Sequence, residues 1–358
     1  MATFEIHNGD ALDVLRGMAD NSVDAIVTDP PAGIAFMGKD WDKDKGGRTA
    51  WIGWMSQIAA ECLRVLKPGA HALVWAIPRT SHWTATAWED AGFEVRDRIA
   101  HIFGSGFPKS LNLKDAMPGW GTALKPAVED WWLLRKPISE SSIAANVLRW
   151  GTGGVNVDGC RVAGDEDGSR NRPPSRLGSD YSYAQDEWTR TAIVQRNDTT
   201  GLGRFPANLI TDGSAEVVAM FPIPHGAGFA RNYDTERKSE GSVNLLRGTA
   251  VRKQMRRGDT GSAARFFKAC PPDDAASMFY CAKASRSERD AGLDGMEAKH
   301  VRRDDGQPYG MNTNAHRPDG SERKPVEPKS NFHPTVKPQS LMRYLCRLIT
   351  PPNGVILD

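Results

Sequence analysis

The sequence contains no uninterrupted apolar run of the roughly 18 residues that a membrane-spanning helix needs. Its start, Met1-Ala2-Thr3-Phe4-Glu5, has neither the basic nor the apolar region of a signal peptide. Cysteines are few: Cys62, Cys160, Cys270, Cys281 and Cys346 are scattered with no Cys-x-x-Cys pair, which argues against a disulfide framework and against a structural zinc site. Net charge is also small, at +2, so bulk charge demands no nucleic-acid partner and any electrostatic footprint has to be local. No internal repeat is present. These absences leave a protein expected in a reducing cytoplasm, without a membrane anchor.

What is present is the composition of a globular protein. The 358 residues are 39% hydrophobic and 25% charged, enough chain for one large domain or two ordinary ones and for a substantial core. The first hundred residues alternate between strand and helix patterns. Phe4 to His7 reads as a short strand, and Asp10 to Met18 as a helix with Leu12, Leu15 and Met18 on one side. Val23-Asp24-Ala25-Ile26-Val27-Thr28 is a buried strand that stops at Asp29. Trp51 to Leu66 has helical spacing at Ile58, Cys62, Val65 and Leu66, and Lys67-Pro68-Gly69 reads as the turn that ends it. Ala70 to Ala76 is the next strand, Ser81 to Ala91 a helix, and Phe93 to Phe103 a strand interrupted by Arg96, Asp97 and Arg98. Trp131 to Leu134 is strand-like. The alternation predicts an α/β fold with a mostly parallel sheet.

The character changes after about residue 150. Residues 151–329 are rich in Gly, Pro, Ser, Asp and Arg, with long loops expected at Gly164 to Tyr183 and Arg302 to Lys329. Within them Phe205 to Ile210 and Ala276 to Ala282 are the better strand candidates. The basic group Arg247, Arg252, Lys253, Arg256 and Arg257, followed by Arg265 and Lys268, reads first as a solvated face. Order returns with a helical pattern over Ser340 to Ile349, a Pro351-Pro352-Asn353-Gly354 turn and a strand beginning Val355-Ile356-Leu357. The organisation read here is 1–150, 151–329 and 330–358.

Asp29-Pro30-Pro31 bears the strongest chemical signal because it directly follows a buried strand, and ligand sites of open α/β sheets lie at carboxyl ends of strands. Proline fixes the backbone, so a carboxylate and a carbonyl oxygen are held in one geometry. That arrangement suits an exocyclic amine, whose lone pair is delocalised into a ring. Two acceptors on its N–H groups, the Asp29 carboxylate and the Pro30 carbonyl, favour a pyramidal nitrogen that attacks a sulfonium methyl in line, with positioning and electrostatics as the main demands.

Thr28-Asp29-Pro30-Pro31 resembles the (D/N/S)PP(Y/F) signature of S-adenosylmethionine-dependent DNA N6-adenine and N4-cytosine methyltransferases. Asn8-Gly9-Asp10-Ala11 through Leu15 resembles the family's GDxxxxL element, and Lys67-Pro68-Gly69 before an apolar strand is also typical. Asn331-Phe332-His333-Pro334-Thr335-Val336-Lys337-Pro338 resembles its HPTxKP element. The order of these motifs matches the circularly permuted β group. The resemblance implies a Rossmann-like class I methyltransferase fold with a large target-recognition insertion at 151–329, and a cofactor-binding half that begins at 330. It implies catalytic roles at Asp29, Pro30, Pro31 and Ala32, and cofactor contacts from Asp10, Ala11, Asp29, His333, Thr335, Lys337 and Asp358. The implied cofactor is S-adenosylmethionine and the implied partner duplex DNA, with a homodimer common among relatives. His333 reads as a structural hydrogen-bonding residue rather than a general base.

Two departures stand out. Family members have an aromatic residue where this chain has Ala32, and that ring stacks on the flipped-out base. The expectation is a substitution by design that leaves DNA binding but little activity, with a natural degenerate homologue as the other reading. The chain also stops at Val355-Ile356-Leu357-Asp358, where relatives continue into a Gly-rich cofactor loop, so a truncated or incompletely represented chain is expected, with weak cofactor binding if these 358 residues are the whole molecule.

Asp at the first motif position favours adenine-N6, with cytosine-N4 as the alternative. A catalytically silent DNA-binding homologue, or methylation of RNA or a protein amide, remain further readings. DNA contacts are expected from Phe36 and Lys39 in a mobile loop after the motif, from Arg252 and Arg256, and from Lys283, Ser285, Arg286 and Arg289. For the last group an N-capped, exposed helix start is an equal reading. Arg204 is a weaker candidate. Trp51, Trp54, Trp75, Trp131 and Trp132 are expected in the core or at an interface rather than as base-stacking platforms.

Overall fold

The computed structural model describes residues 4–104, 106, 110–114, 116–162, 203–223, 262–271 and 336–358, with the side chain of Met37 excepted. Helix α1 (Ala11–Gly17) starts where Asp10 caps it, its carboxylate accepting from the amides of Leu12 and Asp13. Strand β1 (Val23–Thr28) is buried over its first five residues, as its β-branched run predicts. Helix α2 (Arg48–Val65) buries Trp51, Ile52, Met55, Ala59, Cys62 and Val65, one face at three- and four-residue spacing. Then come β2 (Leu66–Ala76), α3 (Ser81–Asp90), β3 (Glu94–Ile102), β4 (Val128–Arg135) and α4 (Ile143–Trp150), the last capped by the Ser142 hydroxyl and closed by left-handed Gly151. Strand β5 (Leu209–Thr211), α5 (Ala215–Met220), β6 (Lys268–Ala269), α6 (Gln339–Ile349) and β7 (Ile356–Leu357) complete the described elements.

The strands form one seven-stranded sheet of order β6-β5-β3-β4-β2-β1-β7. Only β4 runs against the others: it pairs antiparallel with β2 and β3, while β1–β2, β1–β7, β3–β5 and β5–β6 are parallel. The mostly parallel α/β sheet is therefore as expected. Among the described strands, β7 lies beside β1 at one edge of the sheet. β5 and β6, from inside the irregular middle of the sequence, extend this same sheet.

Each face of the sheet is covered. On one, Trp51, Met55, Ala59 and Val65 of α2 and Ala87 and Trp88 of α3 pack on Ile26, Ala72, Val74 and Leu134. On the other, Leu341, Tyr344, Leu345 and Leu348 of α6 pack on Ala25, Val27, Leu73, Trp75, Ile99, Trp131 and Ile210. Alternation along β2 sends Ala72 and Val74 one way and Leu73 and Trp75 the other.

Several local expectations are corrected. Phe4 to His7 forms no strand; Phe4 and Ile6 are exposed, so these apolar residues have no sheet to join. Lys67-Pro68-Gly69 is not a terminating turn but part of β2, which follows α2 directly. The β1–β2 register jumps from Val23 opposite Leu66 to Ala25 opposite His71, so the tripeptide bulges away from β1. There Gly69 takes a left-handed φ of 78°, its amide donates to the Lys136 carbonyl, and the Pro68 carbonyl accepts from Asn146 and Thr152. Arg96, Asp97 and Arg98 do not interrupt β3; a register shift between Val95 and Asp97 absorbs them. The strand expected at Phe205 to Ile210 is shorter and later, at Leu209–Thr211. The strand expected at Ala276 to Ala282 and the loops at Gly164 to Tyr183 and Arg302 to Lys329 lie outside the described residues.

Candidate active site

Strand β1 delivers Asp29 at its carboxyl end, next to β7, which ends at Leu357 with Asp358 after it. The chain leaves β1 through α2 on one face of the sheet, but reaches β7 through α6 on the other. The ends of β1 and β7 therefore border the kind of crevice at which ligands bind in open α/β sheets.

The turn after β1 is tightly held. Asp42, 1% exposed, accepts from the amides of Gly33 at 2.9 Å and Phe36 at 2.8 Å, while its own carbonyl accepts from Ala35. The Thr80 hydroxyl donates to the Ala32 carbonyl at 2.7 Å. Gly33 is obligatory here: its φ is 71°, and a Cβ would lie 2.7 Å from Nε1 of Trp51. The segment after the motif, expected as a mobile loop, is two single 3-10 turns, Phe36–Gly38 and Asp40–Asp42, pinned by the Asp42 carboxylate. Phe36 is half-buried and Lys39 exposed within it. Ala32 itself is buried, its methyl part of the core beneath α6.

Asp29 has a cationic neighbour. The ammonium of Lys337 lies 2.9 Å from Oδ2 of Asp29, 4.0 Å from Oε2 of Glu129 and 3.8 Å from the centroid of the Trp75 ring. Its side chain is only 6% exposed. Lys337 stands just before Pro338, the N-cap of α6, so the burial of α6 fixes its backbone. On the far side of Glu129, His101 occupies the opposite position on β3. His101 is 0% exposed and neither ring nitrogen has a hydrogen-bond partner. Burial lowers its imidazole to about 4, with the Asp212 charge opposing and the Lys337 charge reinforcing that shift. At the crevice, burial and then the Asp29 charge raise the Asp358 carboxyl, against a hydrogen bond from Thr28, although the residue as a whole remains exposed.

The structure thus brings together Asp29, Asp358 and Lys337 of the residues singled out in the sequence. Asp10 and Ala11 sit at the start of α1, where the Asp10 carboxylate caps the helix. His333, Thr335, Arg252, Arg256, Lys283, Ser285, Arg286 and Arg289 lie outside the described residues. Arg204 lies over the Phe266 ring at 4.8 Å and donates to the Arg265 carbonyl. Trp51 and Trp131 are fully buried, and Trp54 and Trp132 partly so. Trp75 is buried too, yet it borders the site through Lys337. Sequence reasoning missed Asp42, Thr80 and Glu129. None belongs to a recognisable pattern, and their roles come from contacts across the fold. Among the described residues, no group of three or more His, Cys, Asp or Glu could hold a metal ion, and no helix is long and apolar enough to cross a membrane. Cys62, Cys160, Cys270 and Cys346 are free thiols.

Residues 23–137 match the family model described as DNA methylase. The window runs from β1 through Asp29-Pro30-Pro31 to the end of β4. Type II methyltransferase M.BamHI of Bacillus amyloliquefaciens is 33% identical over 78 residues, 21% of this chain and 18% of that protein. Type II methyltransferase M.BglII of Bacillus subtilis is 34% identical over 98 residues, 27% of this chain and 22% of that protein. The aligned segments span about a fifth of the length of these two relatives. Among solved structures, the PvuII DNA methyltransferase (cytosine-N4-specific) is similar with a TM-score of 0.28 at 16% identity, covering 41% of this chain and 62% of that one. A DNA modification methylase of Thermus thermophilus, complexed with S-adenosyl-L-methionine, gives 0.27 at 19% identity, covering 37% and 56%. Likeness of that extent leaves the fold to be read from the sheet itself.

Proposed function

We propose that the chain, whose residues 23–137 match the family model described as DNA methylase, is an S-adenosylmethionine-dependent amino-methyltransferase that methylates adenine N6 in duplex DNA. The observation that supports this most is the placement of Asp29. A carboxylate stands at the carboxyl end of a buried parallel strand flanked by β2 and β7, at the crevice with β7, on a turn braced by Asp42 and Thr80.

An adenine amine is a poor nucleophile because its lone pair is shared with the ring. Asp29 and the Pro30 carbonyl accept hydrogen bonds from its two N–H groups, and this favours a nitrogen that is no longer planar. The cofactor, when bound, supplies an electrophilic methyl group on a sulfonium sulfur. Asp29, or solvent beside it, would take the surplus proton of the amine once its nitrogen carried the methyl group. The chain's task is orientation and electrostatics rather than covalent catalysis. The residues present suit such a cation: Asp29 and Asp358 stand at the ends of adjoining strands, and the Asp358 carboxyl is raised by burial and by its acidic neighbour. Asp10, Ala11, His333 and Thr335 are the other cofactor contacts in this reading.

Residues 151–329 serve as the target-recognition region, with Phe36, Lys39, Arg252, Arg256, Lys283, Ser285, Arg286 and Arg289 at the DNA. Residues 1–150 hold the catalytic half and 330–358 begin the cofactor half. The target base leaves the helix to reach Asp29, and Ala32 weakens its hold because no ring follows Pro31. Stacking on an aromatic ring is worth roughly 1–3 kcal/mol per base. Ala32→Tyr should therefore raise methyl transfer by about 10- to 100-fold. Mass spectrometry of nucleosides from duplex DNA incubated with labelled S-adenosylmethionine tests the whole reading. N6-methyladenine is expected; N4-methylcytosine would transfer the assignment to cytosine. DNA retained without any transfer, before or after Ala32→Tyr, would identify a silent DNA-binding homologue.

A further inference from the structure

We infer that Lys337 is a positioning residue for the Asp29 carboxylate, held in place by Trp75 and Glu129, rather than a cofactor ligand. This rests on the methyl-transfer reading of Asp29 above. The ammonium is 2.9 Å from Asp29 Oδ2, with the Trp75 ring centroid at 3.8 Å and Glu129 Oε2 at 4.0 Å. A cation at the start of a helix opposes the helix dipole, so its place before α6 needs another source of stabilisation. Two carboxylates and an aromatic face supply it. Glu129 Oε2 is itself buried without a hydrogen-bond partner, which leaves the Lys337 charge as its compensation in the described structure.

The consequence is geometric. Asp29 has a rotatable side chain at a strand end, 27% exposed. An ammonium of fixed position on one oxygen sets the plane of the carboxylate, and with it the direction from which the target amine is met. Lys337 is a rigid fixture because α6 anchors its backbone through Leu341, Tyr344, Leu345 and Leu348, all buried. The element that carries the cofactor half of the sequence thereby aligns the acid of the catalytic half.

The test separates positioning from cofactor binding in the full chain, measured both as it stands and with Ala32→Tyr. Lys337→Met should lower kcat by about 100-fold at saturating DNA and S-adenosylmethionine, since misplacement of a reacting group by about 1 Å costs that much. Cofactor affinity by calorimetry should stay essentially unchanged. Lys337→Arg should restore part of kcat. Glu129→Gln, which keeps the shape and leaves Asp29 paired, should show a smaller loss of kcat in the same direction and guards against a folding defect in the first variant. Weakened cofactor binding with kcat preserved at saturation would overturn the inference and make Lys337 a cofactor ligand. Unchanged kinetics in both variants would overturn it as well. Absence of transfer in both unsubstituted backgrounds would remove the methyl-transfer reading and this inference with it.

Discussion

The two faces of the sheet are built from different material. Under α2 and α3 the core is apolar and aromatic, with Trp51, Met55 and Trp88 almost wholly buried. Under α6 the apolar core gives way, at the ends of β1, β2, β3 and β4, to Asp29, Lys337, Glu129 and His101. Trp51, Trp75, Trp88 and Trp131 each keep a buried indole N–H without a partner, so aromatic bulk was chosen over polar satisfaction on both faces. The Asp29–Lys337–Glu129 group, in contrast, stands on the α6 face where the crevice opens. One face secures the fold and the other places charge, and the difference is measurable.

The largest effect is expected on the apolar face. Trp88→Ala removes a side chain that is 1% exposed, with its ring centroid 4.9 Å from that of Phe93 at a tilt of 54°, and should cost about 3–5 kcal/mol of unfolding free energy in a urea titration. The kcat of the protein that remains folded should not change. If kcat fell as steeply as it does with loss of Asp29, the two faces would not be separable.

Asp29→Asn is the mirror experiment. It keeps the shape of the side chain but removes the charge that faces Lys337. Methyl transfer in the Ala32→Tyr background should fall by roughly 100- to 1,000-fold, the cost of losing one preorganised electrostatic partner. Urea unfolding should move far less than with Trp88→Ala. Retained transfer would show that the carboxylate is not where the reaction occurs.

Acid sensitivity makes a third, smaller comparison. His101 and His71 are both lowered to about 4 in the fold, chiefly by burial, from an ordinary value of 6.5. Below pH 6.5 the unfolded chain therefore takes up protons that the folded imidazoles refuse. Stability is fully present above about pH 6.5 and is lost as pH falls towards 4, by on the order of 3 kcal/mol for each histidine. Unfolding followed at pH 7 and at pH 5 should show this loss. His101→Leu should flatten the acid limb and, because neither of its nitrogens is hydrogen-bonded, cost little at pH 7. A variant that is as acid-sensitive as the original would place the effect elsewhere.

How much of this was legible beforehand depends on distance along the chain. β1, α2, α3 and α6 were readable because each shows its own hydrophobic period. The start of β2 was misread since Lys67-Pro68-Gly69 carries a strong local turn signal, while Lys136, Asn146 and Thr152, far along the chain, hold it in the sheet. Phe4 and Ile6 look like a strand but are exposed, with no strand to pair with among the described residues. In the site, Asp29 stood out because its strand and its prolines are contiguous. Glu129, Thr80 and Asp42 did not, because one carboxylate or hydroxyl in a sequence resembles any other.

By itself the sequence determined the chemistry that β1 presents: an acid and two rigid prolines at the end of a buried strand, with Ala32 next. Local steric rules suffice for that. Only the tertiary structure decided what meets the acid. Lys337 comes from the opposite end of the chain, Trp75 from β2 and Glu129 from β4, and their meeting follows from strand order and the packing of α6. No local period encodes such a contact, since it exists only after burial has set the order of the strands and brought α6 onto the sheet.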